Sequence, residues 1–185
     1  KKKNKSKIVC LTAYFKSIEK IIDNYCDIVL VGDSVANVLY GLENTHKLSI
    51  NNIIQHALSV KKGIKKSLLV VDMPKNTYKN VNTAEKNARL IIKTTGCDAI
   101  KLESNNKNFK IIEKLTKKGI SVMGHIGFTP QFKKKFMVEG NTKDKANKLI
   151  KEALEIQKAG AFSIVLECID PTASNLITSK LNIPT

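Results

Sequence analysis

Tryptophan is absent from the 185 residues and aromatics supply only 5% of them, so a core has to be built mainly from Ile, Leu, Val and Ala. The hydrophobic fraction of 42% is ordinary for a soluble globular chain, and 185 residues suffice for one domain with a sizeable core. No run approaches the ~20 apolar residues that a membrane span needs. The opening Lys1-Lys2-Lys3-Asn4-Lys5 looks like the n-region of a signal peptide, but the apolar stretch behind it is short and Lys16, Glu19 and Lys20 soon interrupt it. Cysteine is scarce too, and Cys10, Cys26, Cys97 and Cys168 form no Cys-x-x-Cys pair. Each lies in or beside an apolar segment, so buried free thiols are expected rather than a disulfide framework or a zinc site. These absences point to a reducing, cytoplasmic protein with no membrane partner.

Acidic residues are half as numerous as basic ones, 16 against 32, which leaves a formal net charge of +16. A balance that basic raises nucleic acid or an anionic surface as a partner. The lysines are nevertheless scattered, at Lys61-Lys62, Lys65-Lys66, Lys117-Lys118 and Lys133-Lys134-Lys135, among many asparagines. A Lys/Asn/Ile drift over the whole chain explains the charge better than one selected patch does, and nucleic acid is not the expected partner.

Strand-like and helix-like patterns alternate from end to end. Strands are predicted at about 7–12, 27–31, 67–72, 98–102, 120–124 and 162–166. Between them, apolar residues recur at helical spacing: Ile18, Ile21 and Ile22; Ile53, Ile54, Ala57, Leu58 and Val60; Ala84, Ala88, Leu90 and Ile91. The series continues with Phe109, Ile111, Ile112 and Leu115, with Ala146, Leu149, Ile150, Ala153, Leu154 and Ile156, and with Leu176 and Ile177. Gly96, Gly119 and Gly160 each stand where a helix should stop. Strict alternation predicts an α/β fold with a parallel sheet and right-handed crossovers, of the (β/α)8 TIM-barrel kind. Six βα units, with a seventh starting at Asn182-Ile183-Pro184-Thr185, fall short of eight. The chain also lacks an initiator Met, so residues 1–185 are read as a single barrel domain whose C-terminal units are missing. An open barrel leaves unpaired strand edges, a stability liability.

Each apolar, β-branched run delivers a polar residue at its end. Ile28-Val29-Leu30-Val31-Gly32 leads to Asp33-Ser34, and Ser67-Leu68-Leu69-Val70-Val71 leads to Asp72. Asp98-Ala99-Ile100 leads to Lys101 and Glu103, Ser121-Val122-Met123-Gly124 to His125, and Phe162-Ser163-Ile164-Val165-Leu166 to Glu167. In a parallel barrel those ends share the face that carries active sites. Taken singly, each has a plain structural reading. Gly-Asp-Ser is a common turn, Asp72 can cap a helix, and Lys101 with Glu103, on one side of a strand, can be a simple ion pair. A lone His125 between two glycines is often just hydrogen-bonded. Recurrence at strand end after strand end needs one explanation, and a metal-assisted active site supplies it. An acid that ends a buried strand is costly unless paired or metal-bound, and a Glu167 held against apolar neighbours would have its pKa raised, as suits a general base. His46 and His56 carry no such context and read as structural or solvated.

The same residues resemble the ketopantoate hydroxymethyltransferase (3-methyl-2-oxobutanoate hydroxymethyltransferase) family. The matching segments, in family order, are Leu11-Thr12-Ala13-Tyr14, Leu30-Val31-Gly32-Asp33-Ser34, Val70-Val71-Asp72-Met73-Pro74 and Ile100-Lys101-Leu102-Glu103. The series ends with Val122-Met123-Gly124-His125-Ile126-Gly127-Phe128-Thr129-Pro130-Gln131 and Val165-Leu166-Glu167-Cys168. The resemblance implies a TIM barrel of the phosphoenolpyruvate/pyruvate type, incomplete here, and a role in pantothenate biosynthesis. It implies Mg²⁺ on Asp33 and Asp72 with Glu103 completing or supporting the site. It further implies 2-oxoacid binding by Asp33, Ser34, Asp72, Lys101 and His125, and Glu167 as proton acceptor. The co-substrate would be 5,10-methylenetetrahydrofolate, the product 2-dehydropantoate, and the full-length assembly a homo-oligomer.

The chain departs from the family pattern in places. The stretch after Gln131 is compressed to Phe132-Lys133-Lys134-Lys135-Phe136-Met137-Val138-Glu139-Gly140-Asn141, the usual Gly-Gly after Glu103 is Ser104-Asn105, and the pattern around Leu42–Leu48 is only partly kept. Three other readings compete. One is a Mg²⁺-dependent 2-oxoacid enzyme of the phosphoenolpyruvate mutase/isocitrate lyase type, against which the absence of a Lys-x-Cys-Gly-His-like string counts. The others are a basic nucleic-acid-binding domain and a non-catalytic degenerate fragment that keeps the motifs.

Overall fold

The computed structural model describes residues 6–105 and 108–185, and the opening lysine run lies outside them. The chain forms two compact units, one running through to Lys101 and the other spanning Leu102–Thr185. The first contains β1 (Cys10–Thr12), α1 (Lys16–Ile22), β2 (Ile28–Val31), α2 (Val35–Val38), a 3₁₀ turn at Thr45–Lys47, α3 (Ile50–Lys61), β3 (Leu68–Asp72), α4 (Val81–Thr95) and β4 (Ala99–Lys101). Its strands pair in chain order and in parallel, β1 with β2, β2 with β3 and β3 with β4. Val29, Val31, Leu69, Val70 and Val71 are fully buried, as continuous apolar runs in a parallel sheet require. Helix α3 starts on a Ser49–Asn52 capping box and buries Ile53, Ala57 and Val60; α4 starts on the Asn80 side chain and buries Ala84, Ala88 and Ile91. Gly96 ends α4 in the left-handed region, at φ 65°.

The second unit contains α5 (Phe109–Lys117), β5 (Val122–Gly127), α6 (Lys143–Lys158), β6 (Ser163–Glu167) and α7 (Pro171–Lys180). Strand β5 pairs in parallel with β6 from Met123↔Ser163 to Gly127↔Glu167. Upstream backbone also joins β5, through Leu102 N to Met123 O (3.2 Å) and Ser104 N to His125 O (2.8 Å). A Cβ at Gly124 would lie 2.6 Å from Ile156 Cγ2, so glycine there lets α6 seat on the strand. Ile164 N donates to Pro184 O at 3.0 Å, which puts the residues read as the start of a seventh strand beside β6. Among the described residues no helix is long and apolar enough to cross a membrane.

Three local expectations need correction. Strand β5 runs on to Gly127, so His125 lies within the strand and not after it. Of the four free thiols only Cys97 is buried, and Cys10, on the solvent-facing β1, is exposed. The helical spacing of Ile18 and Ile21 does not mark a buried face, since those side chains are exposed while Glu19 between them is wholly buried. The reason lies at Gly63, where a Cβ would collide with the Glu19 carboxylate: the missing side chain makes the space that Glu19 fills.

Glu19 and Asp23, one turn apart, are buried carboxyls with opposite fates. Neither oxygen of Glu19 has a hydrogen-bond partner. Burial, and then the charge of Asp23, push its pKa up. Burial pushes Asp23 up as well, but the amides of Ser67 (2.9 Å), Lys66 (3.2 Å) and Lys65 (3.0 Å) outweigh it and hold Asp23 below the usual range. The raised group favours the native state most at pH below the ordinary glutamate range and loses that contribution as pH rises. The depressed one contributes above the ordinary aspartate range and loses its contribution as pH falls through its folded value. Glu19→Met should therefore add about 1–3 kcal/mol at pH 7, and less at pH 4. Asp23→Asn should weaken the fold at pH 7 and weaken it less in acid, both read by urea unfolding at the two pH values.

Candidate active site

The seven residues singled out in the sequence fall into two groups, one in each unit. In the first, Asp72 is the last residue of β3 and Lys101 the last of β4, and their Cα atoms are direct register partners. That pairing carries Lys101 Nζ to 2.6 Å from Asp72 Oδ1, with both side chains almost wholly buried. The other oxygen, Asp72 Oδ2, accepts the backbone N–H of Asp33 at 3.0 Å. Asp33 is itself buried, two residues past β2, at the turn into α2. Gly32 leaves room for the Ser34 hydroxyl, which a Cβ there would approach to 3.0 Å. Ser34 is the N-cap residue of α2, yet its side chain makes no cap bond; Ser34 Oγ lies 2.7 Å from Tyr14 Oη instead. Burial pushes the Tyr14 phenol up from its ordinary value, the Ser34 hydrogen bond opposing.

In the second unit Glu103, 1% exposed, accepts the amide of Gln131 on Oε2 at 3.0 Å, and its own carbonyl accepts Asn108 Nδ2 at 2.7 Å. His125, also buried, sets Nδ1 3.9 Å from Glu103 Oε1 and Nε2 3.1 Å from Glu167 Oε2. One imidazole thus lies between two carboxylates. The 3.1 Å partner, at the tip of β6, is 38% exposed. Glu167 is therefore not walled in by apolar neighbours, as the flanking run had led one to expect; its partner is the buried imidazole. Gly127 has φ 95°, and a Cβ there would collide with the carbonyl of Glu167, which accepts Phe128 N at 2.8 Å. The compressed stretch that follows is pinned by Lys133 Nζ, which donates to Gly127 O (2.7 Å) and Glu139 Oε1 (2.6 Å). Glu139 in turn bonds through its backbone to Cys168 and Asp170.

Asp33, Ser34, Asp72 and Lys101 are brought together, and so are Glu103, His125 and Glu167. The partners carry little signal in the sequence: Tyr14 stands only within the Leu11-Thr12-Ala13-Tyr14 string, His56 reads as structural or solvated, and the amide of Gln131 has no side-chain signature. A partial signal for Tyr14 existed in the Leu-Thr-Ala-Tyr string itself, which no composition argument explains.

The family model of ketopantoate hydroxymethyltransferase matches residues 1–185. The chain belongs to that family. It is 48% identical over 185 residues to the 3-methyl-2-oxobutanoate hydroxymethyltransferase of Pelagibacter ubique, covering 100% of this chain and 72% of that protein. The enzyme of the same name from Anaplasma marginale (strain St. Maries) is 41% identical over 187 residues, covering 100% of this chain and 68% of its own length. Among solved structures, phosphonopyruvate hydrolase in complex with oxalate and Mg²⁺ matches with TM-score 0.69 at 12% identity, over 96% of this chain and 74% of that one. The lyase acting on 2,3-dimethylmalate, a PEP mutase/isocitrate lyase superfamily member, matches with TM-score 0.71 at 12% identity, over 98% and 66%. At such identity these likenesses show the fold alone, the barrel class read from the strand–helix alternation, with fewer units than a full barrel. The mutase/lyase reading of the function is thereby disfavoured, because sequence identity runs with the hydroxymethyltransferases.

The donor set in the first unit fits magnesium. Asp33 and Asp72 are buried carboxylates, and the ammonium of Lys101 sits on Asp72. A hard divalent cation that takes one or two carboxylates and keeps several waters suits such oxygen donors. Among the described residues no group of three or more His, Cys, Asp or Glu could hold a metal by protein ligands alone. Removing the lysine leaves the buried Asp72 without its ammonium partner. In metal-free buffer Lys101→Met should cost about 3–5 kcal/mol of stability, and adding Asp72→Asn should recover part of the loss. Denaturant unfolding of both variants checks this, and a Lys101→Met protein as stable as wild type would contradict it.

Proposed function

We propose that this chain carries the hydroxymethyltransferase reaction of its family. It would convert 3-methyl-2-oxobutanoate and 5,10-methylenetetrahydrofolate to 2-dehydropantoate, with water consumed and tetrahydrofolate released. The observation that carries the reading is the pair of polar clusters at strand ends. One offers two carboxylates, a hydroxyl and a buried ammonium; the other offers a carboxylate at the tip of β6 with an imidazole against it. The relatives' printed name supports the substrate. The oxalate and Mg²⁺ recorded in phosphonopyruvate hydrolase support a metal beside a small chelating carboxylate in this fold.

In this reading Asp33 and Asp72 hold Mg²⁺. The ion, when bound, supplies Lewis-acid polarisation of a keto oxygen. Ser34 donates a hydrogen bond from its hydroxyl to the substrate carboxylate. Lys101, held in place by Asp72, presents positive charge where negative charge develops on the keto oxygen. Glu167 removes the proton from C3 through Oε2, and His125 aligns that carboxylate from 3.1 Å away. The electron pair left at C3 forms the new carbon–carbon bond to the one-carbon unit as its two bonds to folate nitrogen break; water supplies the hydroxyl, and the C3 proton and the remaining water proton end on the tetrahydrofolate nitrogens. The family resemblance further supports a homo-oligomer in the cytoplasm. Exposed apolar residues such as Ile21 and Tyr25 give an assembly something to cover.

The test is Mg²⁺-dependent deuterium exchange at C3 of 3-methyl-2-oxobutanoate, followed by NMR without folate. Wild-type protein should exchange only with metal present, and Glu167→Gln should lower the rate by about 10²–10⁴-fold. A folded, Mg²⁺-loaded protein that leaves C3 unexchanged would overturn the reading.

A further inference from the structure

Hydrogen bonds link Tyr40, His56, Tyr14 and Ser34, through the backbone carbonyl of Tyr14 on one side and its hydroxyl on the other. Tyr40 Oη lies 2.7 Å from His56 Nε2, and His56 Nδ1 lies 2.8 Å from the carbonyl oxygen of Tyr14. Tyr14 Oη then lies 2.7 Å from Ser34 Oγ. The three rings pack as well: His56 stands edge-on to Tyr14 at 6.2 Å between centroids and tilted against Tyr40 at 5.7 Å. Four separate pieces of the first unit are joined this way: the loop after β1, the N-terminus of α2, the segment just past α2, and α3. Helix α2 is thereby fastened at both ends.

The donors can be assigned from their partners. A carbonyl only accepts, so His56 Nδ1 carries the hydrogen. In the neutral ring Nε2 then accepts from Tyr40. Ser34 has one proton to give. It precedes α2 with helical backbone angles, φ −57° and ψ −11°, and its side chain makes no cap bond. Its oxygen is therefore open to the Tyr14 hydroxyl. When Tyr14 donates, the single proton of Ser34 is left to point at a ligand.

We propose that Tyr14 is a positioning residue for 2-oxoacid binding, with His56 and Tyr40 bracing it, and that its phenol donates to Ser34 so that Ser34 can donate to the substrate carboxylate. The inference rests on the functional reading above, in which Ser34 meets that carboxylate. It gives a role to the Leu11-Thr12-Ala13-Tyr14 string and to a histidine that carried no functional context in the sequence.

Steady-state kinetics and the C3 exchange assay on Tyr14→Phe, His56→Ala and His56→Asn in the full chain test it. Tyr14→Phe should raise KM for 3-methyl-2-oxobutanoate about 5–10-fold, the effect of one lost hydrogen bond, and leave kcat within about twofold. Added to Ser34→Ala it should have little further effect, because the hydroxyl it aligns is gone. His56→Asn can place an amide N–H where Nδ1 stands and should keep KM nearer wild type than His56→Ala does. Ring ¹⁵N shifts should show His56 protonated on Nδ1 and bare on Nε2, a readout independent of activity. An active wild type whose KM is unmoved by Tyr14→Phe, or a Tyr14→Phe effect that persists in full on Ser34→Ala, would overturn the positioning role. A wild type that does not exchange C3 would overturn the functional reading and the proposal with it, and the ¹⁵N shifts would then report whether the hydrogen-bonded chain stands by itself.

Discussion

The carboxylate of Asp72 is the joint on which the first cluster depends. One oxygen takes the ammonium of Lys101 and the other takes the backbone N–H of Asp33. The first follows from the β3–β4 register, which makes Asp72 and Lys101 direct partners; the second is made at the turn after β2. Both oxygens are spoken for, and Asp33 is buried with them. Acids and a lysine buried together at strand ends are the kind of group that functional sites carry.

The second cluster solves a different problem. A base of the kind we propose for Glu167 must be reachable by its substrate and still be held in position. Glu167 stands at the tip of β6 with part of its surface open, while its aligning partner His125 is buried inside β5 and backed by Glu103. Glu103 is fixed in turn by the amide of Gln131, so the loop after β5 takes part in holding the cluster. Its compression relative to the family pattern is accommodated by the Lys133–Glu139 clasp onto the backbone around Gly127 and Cys168.

Strand–helix alternation was legible because parallel strands buried on both faces leave unbroken β-branched runs, and Val29, Val31, Val70 and Val71 are buried accordingly. The polar run ends were legible for the complementary reason: Asp72, Lys101 and Glu167 are terminal strand residues. Less was readable where tertiary neighbours decide. The apolar spacing of α1 gave no sign that Glu19 would be the buried residue, since the space it fills is made by Gly63 far along the chain. The extension of β5 past His125 depends on pairing with β6, down to Gly127↔Glu167, which local pattern cannot report. His56 and Tyr40 have no motif at all; their meaning lies in the partners that folding supplies.

We propose that Asp33 and Asp72 hold a divalent cation beside Lys101 and that the 2-oxoacid binds there. Calorimetric titration of the protein with 3-methyl-2-oxobutanoate, in the presence and absence of Mg²⁺, tests this. Affinity should rise steeply with Mg²⁺, and Asp72→Asn should abolish the dependence. Equal affinity with and without the metal, or an Asp72→Asn variant that keeps the full metal dependence, would contradict it.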